Sequence, residues 1–139
     1  MESLHYLLMK SHSVMQRKIY SEAQKIGLTS GQPKILDYLY DHEGSDQKTI
    51  AGYCEIEPAT LGSILLRMEQ KGLIERRQKN GNRRSLFVYL TESGKDACEK
   101  MHDIFSQKDE QAIEGLNSEE VDRLKKMLTK VCENLDRKD

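Results

Sequence analysis

Glu57-Pro58-Ala59-Thr60-Leu61-Gly62-Ser63-Ile64-Leu65-Leu66-Arg67-Met68-Glu69-Gln70-Lys71-Gly72 is the stretch that decides the fold. Proline is favoured at the first helical position, where its missing N–H would find no partner anyway, and glycine is favoured just past the last turn. Between these marks Leu61, Leu65 and Met68 recur at spacings of four and three, the period of one helical face. The stretch therefore reads as a helix from Pro58 to Lys71 with one buried stripe. Thr60, Ser63 and Arg67 share the opposite, polar face.

Working outward toward the N-terminus, Ser45 and Asp46 are cap candidates for a short helix carrying Ile50, Ala51 and Cys54. Before it, Thr29 or Ser30 is expected to cap a helix with Pro33 in its first turn and Ile35, Leu36 and Leu39 on one face, ended by Gly44. Leu4 to Ile26 reads as one long helix, with Leu4, Leu7, Leu8, Val14, Met15 and Ile19 at helical spacings. Toward the C-terminus the period changes to two. Leu73–Arg77 and Ser85–Leu90 are strand candidates, and Asn80-Gly81 between them is a strong hairpin signal because both residues tolerate positive φ. Thr91 then caps a helix running to Gly115, and Asn117 or Ser118 starts the last one.

Three helices followed by a hairpin, with a short helix before one that runs from proline to glycine, is the order of a winged helix-turn-helix. The fold class is mostly α with a small β-hairpin wing. In the last helix Val121, Leu124, Leu128, Val131 and Leu135 are spaced three, four, three and four, a seam like that of a coiled coil. With only 37% apolar residues and no Trp in 139 residues, the chain is expected to complete its core against a second copy. The expected organisation is an N-terminal dimerisation helix over residues 1–27, a DNA-binding domain over 28–91 and C-terminal dimerisation helices over 92–139, together one structural unit. Leu4, Leu7 and Leu8 join Val121, Leu124, Leu128, Val131 and Leu135 in the expected interface of an obligate dimer.

The net charge of −1 excludes nothing, but its distribution is uneven. Arg67, Lys71, Arg76, Arg77, Lys79, Arg83 and Arg84 against Glu69 and Glu75 give residues 67–84 a local charge of +5, while residues 92–139 carry −4. One face suited to phosphate and one that is not is the expectation for a nucleic-acid binder. Cys54, Cys98 and Cys132 are odd in number and far apart, as expected of buried thiols in a reducing compartment. With no apolar run long enough to span a membrane, and no basic start or apolar centre in Met1-Glu2-Ser3-Leu4-His5-Tyr6, the expected location is the cytoplasm.

Signals for catalysis are missing: there is no Gly-rich phosphate loop, no His-Glu-x-x-His, no Cys-x-x-Cys and no nucleophile elbow. No enzyme activity, cofactor or metal is expected, although Asp41-His42-Glu43 and His102-Asp103 are a grouping that could meet in space around an ion.

Leu28-Thr29-Ser30-Gly31-Gln32-Pro33-Lys34-Ile35-Leu36, Gln47-Lys48-Thr49-Ile50-Ala51, Pro58-Ala59-Thr60-Leu61, Arg67 to Arg76 and Leu90-Thr91-Glu92-Ser93-Gly94-Lys95 resemble successive blocks of the MarR family of bacterial regulators. The resemblance implies a homodimer built from the terminal helices, binding to a palindromic operator in double-stranded DNA, and a repressor released by a small phenolic or lipophilic effector, an oxidant or, less often, a metal. Two departures stand out. The family often has Thr or Ser followed by Arg where this chain has Gly62-Ser63, and Asp-Arg-Arg in the wing where it has Asn82-Arg83-Arg84.

The candidate DNA contacts are Gln47 and Lys48 at the start of the third helix, for phosphate or sugar; Pro58, Ala59, Thr60, Gly62, Ser63 and Arg67 on the fourth, for the major groove; and Lys79, Asn80, Asn82 and Arg83 on the wing. Arg76 and Arg84 are expected to turn toward acids of their own subunit. His12, Met15 and Tyr38 are candidates for an effector cleft between the first, second and fifth helices. Two alternatives remain open: a winged-helix module that binds protein, and a thiol- or metal-responsive switch on the same scaffold. The family's peroxide sensors carry their reactive Cys in the first helix, where this sequence has none.

Overall fold

The computed structural model describes residues 1–79, 81 and 85–138. Asn80, Asn82, Arg83 and Arg84, named above for the wing, lie outside the described residues. The elements run α1 (Leu4–Lys25), α2 (Gln32–His42), β1 (Ser45–Asp46), α3 (Gln47–Cys54), α4 (Pro58–Gln70), β2 (Ile74–Gln78), β3 (Leu86–Leu90), α5 (Glu92–Ala112) and α6 (Ser118–Asp136). They fall into two compact units, Met1–Lys108 and Asp109–Asp139.

In the first unit the apolar stripes read from sequence close on one another. Ile35, Leu36 and Leu39 of α2, Ile50 and Ala51 of α3, and Leu61, Leu65 and Met68 of α4 are buried together with Ile74, Val88, Cys98 and Met101. Burying each of the leucine, isoleucine, valine and methionine side chains contributes about 1.5–3 kcal/mol relative to leaving it in water. Two glycines allow the close approaches. Gly31 has φ +85, and a Cβ there would stand 2.7 Å from Ile64 Cδ1 of α4; Gly94, at the start of α5, lies so close to the Leu73 carbonyl that any side chain would collide with backbone.

Caps end the helices largely where polar residues promised. Asp46 accepts from the Thr49 N–H at 2.7 Å, and Gly94 N–H donates to Thr91 Oγ1 at 3.0 Å. The start of α2 differs from expectation. Its cap is Gly31, in the left-handed region and without a side-chain bond, rather than Thr29 or Ser30. The Gln32 side chain instead accepts from the Thr29 N–H at 3.0 Å, tying down the turn before the helix.

The wing is wider than a hairpin. Its sheet has three strands in the order β1-β3-β2, all antiparallel, because Ser45 pairs with Val88 and Asp46 with Phe87 on the free edge of β3. Gly44 N–H donates to the Val88 carbonyl at 2.8 Å and Glu43 accepts from the Leu90 N–H at 2.9 Å, which fastens the end of α2 to the same strand. The second hairpin strand starts at Leu86, one residue after the expected Ser85, and the first runs Ile74–Gln78 rather than Leu73–Arg77.

In the second unit α6 is closed at its N-terminus by a capping box. Asn117 accepts from the Glu120 N–H at 2.9 Å while Glu120 accepts from the Asn117 N–H at 3.0 Å, satisfying two donors that the helix itself leaves unpaired. None of its residues is buried. Cys132 is exposed, against the expectation that all three thiols are inside. It lies on this same helix.

Candidate nucleic-acid interface

Which side of α4 faces outward is decided by contacts on its other sides. Leu61, Leu65 and Met68 point into the core. On one flank Ile64 packs at Gly31, and Lys71 Nζ donates to the Gly27 carbonyl at 2.9 Å. On the other, Glu69 is held by Arg76 of β2: NH2 to Oε1 at 3.0 Å, with the Arg76 N–H and Nε on Oε2 at 3.3 and 3.4 Å. The remaining face carries Ala59, Thr60, Ser63 and Arg67, all exposed, with Leu66 and Gln70 beside them and Pro58 exposed at its start. Ser63 Oγ rests on the Ala59 carbonyl at 3.4 Å, and Gly62 has open space where a Cβ would stand. Leu66 and Gln70 were not singled out in the sequence; continuing the spacing of Ala59 and Ser63 by three and four would have found them.

Arg76 joins three elements. Its NH1 also donates to Gln47 Oε1 at 3.3 Å, so a single guanidinium links the C-terminal half of α4, the wing strand and the first residue of α3. The expected turn of Arg76 toward an acid of its own subunit is present as this pair with Glu69, whose carboxyl is held below its ordinary value of 4.5, first by the hydrogen bond from Arg76. Gln47 is half-buried in this arrangement and Lys48, next to it, is exposed.

On the wing, strand alternation puts Phe87 and Tyr89 on one face with cations over both rings. The Arg77 guanidinium carbon is 4.4 Å from the Tyr89 centroid and Lys79 Nζ is 4.9 Å from that of Phe87. Such contacts order long basic side chains that would otherwise sweep freely. Arg77 also pairs with Glu75 at 2.9 Å. Lys79 is exposed beyond them.

Away from this surface, His12 and Met15 of α1 line a cavity of about 150 Å³ with Gln16, Ile19, Tyr20, Pro33, Lys34 and Phe105, between α1, α2 and α5. Tyr38 is not among its lining residues. It is buried in an aromatic cluster instead, stacked on His42 at 4.5 Å and against Tyr53 at 4.6 Å, with Ser45 Oγ donating to its hydroxyl at 3.3 Å. His102 stacks on Tyr40 at 4.1 Å, so the two histidines of the suspected metal grouping lie on different tyrosines. Among the described residues no three His, Cys, Asp or Glu side chains are placed to hold an ion. The buried thiols of Cys54 and Cys98 donate to the carbonyls of Lys34 and Leu36, and burial pushes both up to about 11.

Residues 28–86 match the MarR family. The whole chain is 32% identical to the organic hydroperoxide resistance transcriptional regulator of Bacillus subtilis, over 97% of this chain and 90% of that protein. This chain belongs to the MarR family.

As a MarR-family protein it has solved structural neighbours with the same winged helix. The S. aureus MepR–DNA complex superposes with a TM-score of 0.82 at 28% identity, covering 98% of this chain and all of that one. A MarR family regulator from Listeria monocytogenes, solved with a 26mer DNA, superposes with a TM-score of 0.91 over 97% of this chain and 90% of that one, at 21% identity, a likeness of fold. The chain is thus a MarR-type transcriptional regulator with a three-stranded wing. Among the described residues no helix is long and apolar enough to cross a membrane.

Proposed function

We propose that this MarR-family regulator works in the cytoplasm as a homodimeric repressor, placing α4 of each subunit in the major groove of a palindromic operator. The observation that carries the reading is the outward face of α4: Thr60, Ser63 and Arg67 are exposed in line, while Glu69, on the flank of the same helix, is paired with Arg76. Lys48 and Lys79 flank the helix from α3 and the wing, where they would meet phosphate and fix register without reading sequence. Arg83 is proposed to extend the wing contact. The dimer is proposed to form through the apolar stripes of α1 and α6: Leu4 and Leu7, both exposed, with half-buried Leu8 on the first, and exposed Leu124, Leu128 and Leu135 with half-buried Val121 and Val131 on the second.

The cavity beside His12 and Met15 is proposed to take the effector. Its lining is mostly apolar, with Lys34, His12 and Gln16 at hand for a phenolate or carboxylate. A thiol switch at Cys54 or Cys98 is disfavoured by their burial, since the thiolate is the reactive form and burial raises both thiols to about 11.

The test is a salt titration of binding to DNA taken from upstream of the protein's own gene and to a scrambled duplex. Each phosphate contact contributes a slope of about −0.9 in log affinity against log salt, so Lys79→Ala should flatten the dimer's slope by roughly two units and weaken both duplexes alike. Arg67→Ala should narrow the gap between the two duplexes. No preference for the upstream duplex, or a slope unmoved by Lys79→Ala, would refute the placement.

A further inference from the structure

We propose that Leu66 reads the 5-methyl group of a thymine in the major groove, making α4 selective for a T·A pair at one position of each half-site. The inference rests on the DNA-binding reading above and names what one further side chain recognises. Both flanks of α4 are occupied, at Gly31 and Gly27 on one side and by Arg76 on the other, so Leu66 has no place in the core. It is 46% exposed, whereas its neighbour Leu65 is buried in the core and Ile64 is half-buried against it. Among the described residues it is the one large apolar side chain on the outward face of α4.

A helical side chain lies over the turn N-terminal to its own Cα. For Leu66 that turn is Gly62 and Ser63, both small, and the position of the missing Gly62 Cβ has nothing within 4 Å. The isobutyl group therefore leans toward the N-terminal half of α4, the end that a recognition helix presents to base edges. Of the groups that the four base pairs offer in the major groove, the thymine methyl alone is apolar. Every other edge there would strand Leu66 against a donor or acceptor it cannot satisfy.

Deoxyuridine differs from thymidine by that methyl and pairs identically, so it isolates the contact. The experiment selects duplexes from a randomised pool with the full-length protein, then replaces the thymines of the strongest duplex by deoxyuridine one symmetric pair at a time. Burial of one methyl-sized group corresponds to about a fourfold change in affinity per half-site. The parent should lose roughly that factor per half-site at one position, with its salt slope unchanged. Leu66→Ala should bind the selected duplex more weakly and be indifferent to deoxyuridine at that position alone, while Leu66→Met keeps the penalty. Circular dichroism and thermal melting report whether the variants fold, which exposed position 66 predicts they do. If the parent shows no deoxyuridine penalty, or Leu66→Ala retains it in full, the assignment is wrong. If no duplex is enriched, the DNA-binding reading fails first and this one with it.

Discussion

Helices α4 and α6 carry the same local signal and meet opposite fates. Leu61, Leu65 and Met68 recur at helical spacing in α4, and all three are buried in one core with residues of α2, α3, the wing and α5. Val121, Leu124, Leu128, Val131 and Leu135 recur as regularly in α6, yet Leu124 and Leu128 are 37% and 39% exposed and Leu135 is 77% exposed. Periodicity fixes that a helix has an apolar side; it does not say whose surface will cover it. In α4 the cover is the chain itself. In α6 it is proposed to be the partner subunit, and the difference can be tested by substitutions of matched chemistry.

The largest effect is expected from Leu124→Glu combined with Leu128→Glu. Each buried leucine contributes about 1.5–3 kcal/mol, the symmetry of a dimer doubles every loss, and the new carboxylates would have to be desolvated as well. Sedimentation should show monomer or unfolded chain where the parent sediments as a dimer. An intact dimer would break the comparison, because α6 would then be an uncovered stripe without a partner.

Truncations sharpen it. Leu65→Ala should cost about 2–5 kcal/mol, through lost burial and the cavity left behind. Because that loss lies within one subunit, diluting the protein should leave the difference from the parent unchanged. Leu128→Ala should behave otherwise, its deficit in melting temperature growing on dilution as mass action withdraws the partner. Equal concentration dependence for the two variants would mean that α4 and α6 are covered by the same kind of surface.

The smallest effect concerns the flank of α4. Glu69 is partly exposed and its pair with Arg76 is screened by solvent, so Glu69→Gln should cost no more than about 1 kcal/mol at neutral pH. The folded-state carboxyl lies below its ordinary 4.5, so its contribution is present above that value and is lost as pH falls through the folded one. Asp46, lowered first by its hydrogen bond to Thr49, loses its contribution in the same direction. The melting temperature of Glu69→Gln should therefore fall less than the parent's between pH 5 and pH 3, values about one unit either side of an ordinary carboxyl. Parallel curves would show that the Arg76 clamp carries no weight in holding α4 to the wing.

How much was legible followed the range of the interactions. The bounds of α4 came from Pro58 and Gly72, the cap of α3 from Asp46 and that of α5 from Thr91, because each of these is settled within a few residues of chain. The MarR resemblance likewise needed only the order and spacing of short blocks. The third strand was not legible. Ser45 and Asp46 are too few to show a period, and their partners Val88 and Phe87 lie beyond two helices and another strand. Tyr38 is a sequence candidate for the same cleft as His12 and Met15, and nothing local shows that its ring turns instead to His42 and Tyr53.

By itself, then, the sequence determined the helices, the caps of α3, α5 and α6, the wing's two longer strands and the family, since propensity, capping and apolar period are properties of neighbouring residues. Only the tertiary structure decided which polar groups share a partner and which apolar ones are left outside. That Arg76 gathers Glu69 and Gln47, that Leu66 emerges between Gly62 and Gln70 on the open face, and that α6 buries nothing are outcomes of packing. A guanidinium finds the nearest carboxylate in space, and a leucine is inside or outside according to what the rest of the chain brings against it.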